Sequence, residues 1–215
     1  AIKVFQQVVQ NSKGLERFRR EMKLSRKLIH PNVVRIYEFG TWRGARYITM
    51  ELLDGLDLED YAAARGGVLP TSQALSLMMQ CCDGIVAAHK QGVVHRDIKP
   101  QNLFVVEGGK RLKIMDFGIA REAKETSTLV TGRESTSGTL PYMSPEQLRG
   151  KKPEASQDIY SLAETMWECL AGEPPFSRGD LRHQIETVEP DPPSELDGIE
   201  FADSLIRGLS KAPED

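Results

Sequence analysis

The chain has 215 residues, 40% of them apolar and 27% charged, with a formal charge of −3 from 28 basic and 31 acidic side chains. That length holds one large domain or two small lobes with cores of their own. The near-balance of charge excludes the basic field of a nucleic-acid or membrane-surface binder, and no apolar run approaches the ~18 residues needed to span a bilayer.

Residues 1–5 and 46–50 are short β-rich runs, and 33–39 reads as a third, ended by Gly40. The first run opens inside a strand, so the chain is expected to continue upstream. Between them, Leu15, Phe18, Met22, Leu28 and Ile29 recur at helical spacing over 14–29, with Pro31 as the stop. Residues 71–91 predict a helix with Thr71 or Ser72 as N-cap and Gly92 as its end; Leu75, Met78, Met79, Cys82, Ile85, Val86 and His89 form its expected buried face. Short strands are expected near 103–106 and 111–115, joined by Gly108-Gly109. Residues 116–146, rich in Ser, Thr and Gly, read as a long functional loop. Ile159, Leu162, Ala163, Met166, Trp167 and Leu170 mark a strongly apolar helix over 156–171, and shorter helices are expected near 180–188 and 200–209. A strand-rich first part, a helical second part and one long loop make a two-lobed α+β fold. The cysteines, Cys81, Cys82 and Cys169, are odd in number and lack zinc spacing, so a reducing, cytoplasmic setting is expected for this domain, whether or not its parent is anchored to a membrane.

Four short motifs carry the chemistry. Lys3 sits in Ala1-Ile2-Lys3; His95-Arg96-Asp97-Ile98-Lys99-Pro100-Gln101-Asn102 follows the long helix; then come Asp116-Phe117-Gly118 and Met143-Ser144-Pro145-Glu146. In this order the motifs resemble those of the protein kinases, over the whole chain. The resemblance implies a partial small lobe over 1–53, whose glycine-rich loop would lie upstream, and a larger helical lobe over 54–215 that stops before its last helix. Lys211 to Asp215 resembles the lead-in to a family arginine that pairs with Glu146.

The resemblance also implies roles. Asp97 matches the base that accepts the substrate hydroxyl proton, and Lys99 the lysine that steadies the transferring phosphate. Asn102 and Asp116 match the ligands of magnesium, for which manganese can substitute, since hard oxygen donors suit such cations. Lys3 matches the lysine on the α- and β-phosphates of ATP. Its helix partner would be Glu16 or Glu21, and the resemblance favours Glu21, which lies nine residues before His30-Pro31 as in similar kinases. Met50 would back the adenine pocket, Glu51 and Leu53 would bond the purine through their backbones, Ala1 and Phe104 would sandwich the ring, and Asp57 would reach the ribose. His95, Phe117 and Asp158 look like braces of the catalytic loop. Lys99, Pro100 and Asn102, with Gly138-Thr139, resemble the serine/threonine branch in bacterial style, and Thr139 would bond Asp97 and Lys99. Arg96 would dock a phosphate on the loop, with Thr131 and Ser135 the favoured sites. The expected partners are a protein bearing the acceptor hydroxyl and the kinase itself, by autophosphorylation; no nucleic acid or membrane contact is expected from this segment. Two other readings remain: a pseudokinase scaffold, against which Lys3, Asp97 and Asp116 all stand, and a small-molecule phosphotransferase, which would lack the segment from Gly138 to Glu146. Ser25 stands where a bulkier residue often links the first helix to Phe117, so a loose link is expected there.

Overall fold

Two antiparallel three-stranded sheets organise the chain in a computed structural model that describes residues 1–5, 22–117, 139–192, 196, 198 and 201–213. The first sheet contains β1 (Ile2–Phe5), β2 (Ile36–Trp42) and β3 (Ala45–Met50), in the order β1-β3-β2. Helix α1, described over 22–27, packs Met22 against Val34, Ile48 and Met50 to form a small core. β2 lies later than expected: residues 33–34 instead meet Ile114 through a parallel Val33–Ile114 bridge, and the strand runs through Gly40 to Trp42. Gly40 does not end it, because the Tyr47 ring lies over this position; an added Cβ would come within 2.4 Å of that ring.

The second sheet contains β4 (Gly55–Asp57), β5 (Leu103–Val106) and β6 (Arg111–Ile114). β4 escaped the sequence reading because three residues carry too little periodicity, and its Gly55 admits close approach of the Val105 backbone. The β5–β6 turn is the expected one, with Gly108 and Gly109 at φ 65° and 100°. Asp57 ends β4 and caps α2 (Leu58–Ala63), accepting the Asp60 N–H at 2.9 Å.

Helix α3 (Thr71–His89) starts one residue earlier than the cap prediction: Pro70 holds the N-cap position and no side chain caps the helix. Its buried face is also turned from the expected one. Ala74, Leu77, Met78, Cys81, Gly84, Ile85 and Ala88 face inward, whereas Leu75, Met79, Cys82 and Val86 do not. Small residues decide this register, because an added Cβ at Gly84 would lie 2.7 Å from Ile114 Cδ1. α4 (Pro145–Leu148), α5 (Ala155–Ala171), α6 (Leu181–Thr187) and α7 (Ala202–Gly208) complete the larger core. α5 is buried almost all round, Ile159 being the one expected core residue that is exposed. Burying each large apolar side chain contributes roughly 1.5–3 kcal/mol, so the α3–α5–β6 packing dominates the stability of this half. Leu28 and Val33 also pack into this larger core, which ties the segment after α1 to the helical half.

Candidate active site

The catalytic loop is held from behind by one carboxylate. Asp158, fully buried on α5, accepts the backbone N–H groups of His95 and Arg96, each at 2.8 Å, and the His89 Nε2–H of α3 at 2.7 Å. His95 donates Nε2–H to the Met115 carbonyl at 2.6 Å and accepts the Asp97 N–H on Nδ1 at 3.2 Å. Both ring nitrogens are therefore committed to backbone groups, as befits a structural brace. Its ring meets Phe117 edge-on, with centroids 4.6 Å apart. The brace expected of His95, Phe117 and Asp158 is what the fold builds. His89, read as part of an apolar face, is an additional member, and α4 supplies another: Gln147 Nε2 donates to the Arg96 carbonyl at 3.2 Å. α4 itself starts with a capping box between Ser144 and Gln147 and Pro145 at N1, a signal the Ser-x-x-Gln spelling carries in the sequence.

So pinned, the loop takes two uncommon backbone turns. Arg96 and Asp116 have φ of 68° and 59°, a region that side-chain-bearing residues occupy at an energetic cost. The turns aim functional groups at one place. Asn102 Nδ2 donates to the Asp97 carbonyl at 2.7 Å and to its Oδ2 at 3.0 Å. Lys99 Nζ lies 3.3 Å from Asp97 Oδ1 and donates to Thr139 Oγ1 at 2.8 Å. The predicted link from Lys99 to Thr139 thus spans forty residues of sequence. Lys3 Nζ reaches across from β1 to Asp116 Oδ2 at 2.5 Å.

This set fits a divalent cation. Asp116 Oδ1 is buried and lacks a hydrogen-bond partner, while its other oxygen is held by Lys3. The Asn102 amide nitrogen is committed to Asp97, which leaves the amide oxygen as a donor of the hard type.

The residues expected around the nucleotide are placed as follows. Ala1 and Met50 exchange hydrogen bonds of 2.7 and 2.9 Å, so β1 starts against the hinge. Met50 is buried, Glu51 donates its N–H to the Arg35 carbonyl, and the Glu51 carboxylate accepts Lys113 Nζ at 2.6 and 2.8 Å. The Glu51 N–H is thus committed, whereas the Leu53 N–H makes no hydrogen bond among the described residues. Asp57 pairs with Phe104 across β4 and β5. Its Oδ1 caps α2, so only Oδ2 is left to reach a ribose. A small cavity behind Met50 is lined by Ser25, Val34, Ile48, Asp116 and Phe117, in keeping with the loose link expected at Ser25. Glu21, Thr131 and Ser135 lie outside the described residues, as do Glu16 and Gly118.

Beside the acceptor side, Tyr142 donates its hydroxyl to Glu168 Oε2 at 2.6 Å. Burial, followed by the neighbouring Glu168 charge, raises the Tyr142 pKa, and burial likewise raises that of Glu168. Sequence reasoning missed this pair, whose members lie 26 residues apart.

The family model for the protein kinase domain matches residues 1–200. The chain is 36% identical over 208 residues to the serine/threonine-protein kinase PknB of Mycobacterium leprae, covering 92% of this chain and 33% of that protein. It is 38% identical over 187 residues to a probable serine/threonine-protein kinase of Corynebacterium efficiens, covering 84% and 28%. The chain therefore spans about a third of the length of the curated relatives it matches. Among solved structures, a Mycobacterium tuberculosis PknI kinase domain variant superposes with a TM-score of 0.76 at 26% identity, over 99% of this chain and 77% of that one. With its α+β fold, its assembled catalytic loop and these relatives, the chain belongs to the protein kinase family, in the company of bacterial serine/threonine kinases.

Proposed function

We propose that this domain transfers the γ-phosphoryl group of ATP to serine or threonine hydroxyls of proteins, its own chain included. The observation that carries this reading is the Asp97–Lys99–Thr139 cluster: a base, a cation and an acceptor-side hydroxyl brought together from two segments. In the reading, Asp97 accepts the proton of the acceptor hydroxyl as that oxygen bonds the γ-phosphorus and the bridging oxygen departs with ADP. Lys99 balances charge on the transferring phosphoryl group, and Lys3 holds the α- and β-phosphates with Glu21 as its helix partner. Asn102 and Asp116 would hold magnesium, or manganese in its place; the bound cation supplies charge neutralisation and orientation of the phosphates. Ala1, Met50, Glu51, Leu53, Asp57 and Phe104 would form the adenosine site. Residues 1–53 would act as the small lobe and 54–215 as the large one.

Regulation follows from Arg96, next to the base: a phosphate on the loop, with Thr131 and Ser135 favoured, would dock there and order the peptide site. The catalytic domain is assigned to the cytoplasm. Among the described residues no helix is long and apolar enough to cross a membrane. A scaffold without turnover is the competing reading.

Phosphoamino-acid analysis after incubation with γ-labelled ATP, magnesium and a protein acceptor tests the proposal. Label on serine and threonine is expected. Predominant phosphotyrosine would overturn the acceptor assignment, and nucleotide binding without transfer would favour the scaffold.

A further inference from the structure

Helix α5 carries an ionisable group that the catalytic constellation does not use. Glu164 is 0% exposed, and neither of its carboxyl oxygens has a hydrogen-bond partner. One turn earlier, Tyr160 is buried with its hydroxyl equally unpartnered. From the segment after α7, Lys211 buries an Nζ that also lacks a hydrogen bond and rests 4.5 Å from the centroid of the Phe176 ring. Native interiors leave few such atoms unpaired, so four on three neighbouring side chains need a reason.

We propose that Glu164 is a proton-controlled latch: as a carboxylic acid it lets residues 209–213 close over α5, and as a carboxylate it loosens them. The acid form suits the site, because a neutral carboxyl has an O–H to share with Tyr160 and brings no charge into the core. Burial is the largest influence and pushes the carboxyl up to about 8. Tyr160 and the Lys211 ammonium favour the ionised form but do not prevail, and Glu168, one turn further along α5, adds to the upward push. Glu189, after α6, acts on both Lys211 and Tyr160, while Glu146 of α4 acts on Tyr160. Tyr142, which feels the Glu164 charge, completes the set of titratable groups around the site.

The sign of the pH effect follows. An unfolded glutamate releases its proton near 4.5, the folded one near 8. Between these values the native state holds the extra proton, so stability falls as pH rises through that window and levels off outside it. Lys211, held low by burial, acts in the opposite sense: between its folded value and 10.5 the unfolded chain holds the extra proton.

The test is denaturant unfolding of the full chain at pH 5 and pH 8, for wild type and Glu164→Gln. The wild-type unfolding constant, relative to that of the variant, should rise at least about tenfold between the two pH values, a proton-linked change the neutral amide cannot make. In native-state hydrogen exchange, corrected for intrinsic rates, protection of the Leu209 and Ser210 amides should fall with pH in wild type only; both are hydrogen-bonded to α7. Lys211→Met provides an arm independent of the glutamine variant, since removing the ammonium should move the wild-type transition to higher pH. Unfolding curves that keep a constant ratio from pH 5 to 8, or a transition that Lys211→Met leaves in place, overturn the proposal.

Discussion

The Asp97 carboxylate meets two donors, Asn102 Nδ2 and Lys99 Nζ, while its backbone N–H donates to His95 Nδ1. The carboxylate is thereby oriented before any substrate arrives, which is what a base needs if it is to act in the transition state and not merely bind. Replacing Asp97 by Asn keeps the shape and removes the basic oxygen. Turnover is expected to fall by roughly 10²–10⁴-fold, the usual contribution of a positioned base. ATP binding, followed by calorimetry, should stay unchanged, because Lys3 and Asp116 are untouched. Lys3→Met should do the opposite first: it releases Asp116 Oδ2 and removes the phosphate cation, so magnesium-ATP affinity should drop by at least about tenfold, or ~1.4 kcal/mol. At this scale the residue types could be read from the sequence. The left-handed turns at Arg96 and Asp116 could not: arginine does not favour that conformation, and aspartate, which tolerates it, adopts it in only a small share of cases.

Helix α5 is where an element, and not a residue, performs the work. Asp158 collects three hydrogen bonds in a fully buried place, so Asp158→Asn would set an amide N–H₂ against donors. The expected loss is about 3 kcal/mol of stability, since hydrogen bonds to a charged group are the stronger ones and unpaired buried donors are costly. Chemical unfolding measures it, and catalysis should fall with the loosened loop. α3 gives the complementary case. Gly84→Ala would press a methyl against Ile114 and to 3.3 Å from the Asn32 carbonyl, whose loop bonds β6. Overpacking of this kind costs about 1–3 kcal/mol, and the melting temperature should drop accordingly. The same glycine explains why the helix was legible and its inward face was not. Apolar periodicity fits Leu75, Met79 and Val86 as readily as Ala74, Leu77 and Cys81, but only the second choice brings Gly84 against Ile114 of the sheet.

At the scale of the whole molecule, two cores are joined by few covalent and several noncovalent ties. Lys3 to Asp116, Glu51 to Lys113 and the Asn32 side chain to the Leu112 carbonyl all link the first sheet or its flanking loop to the strands and loop of the helical half. The candidate active site lies where they meet. Phosphate added between Asp116 and Glu146 brings about −1.5 to −2 charges and strong acceptor oxygens, enough for one to three charge-assisted hydrogen bonds to Arg96 and its neighbours. Preincubation with magnesium-ATP is therefore expected to raise activity, with phosphate found by mass spectrometry among Thr126, Ser127, Thr128, Thr131, Ser135, Thr136 and Ser137. Alanine at Thr131 and Ser135 should remove most of that gain. Full activation with both replaced would move the site elsewhere in the loop, and full activation with all seven replaced would remove the mechanism.

By itself the sequence determined the family and most of the long elements, because the motifs around Lys3, Asp97, Asp116 and Glu146 stand in the order that the protein kinases share. The resemblance also pointed to His95 and Asp158 as braces, whereas the helix start at Ser144 to Gln147 went unread although its spelling carries the signal. What only the tertiary structure decided is who meets whom at long range: His89 with Asp158, Gln147 with Arg96, Glu51 with Lys113, Tyr142 with Glu168. Those pairs depend on packing distances between elements that lie far apart in the chain, to which local periodicity is blind. The buried carboxyl of Glu164 is the sharpest instance. In the sequence it is one acidic residue on an apolar helix, and only the packing of the folded chain buries it and pushes its pKa up.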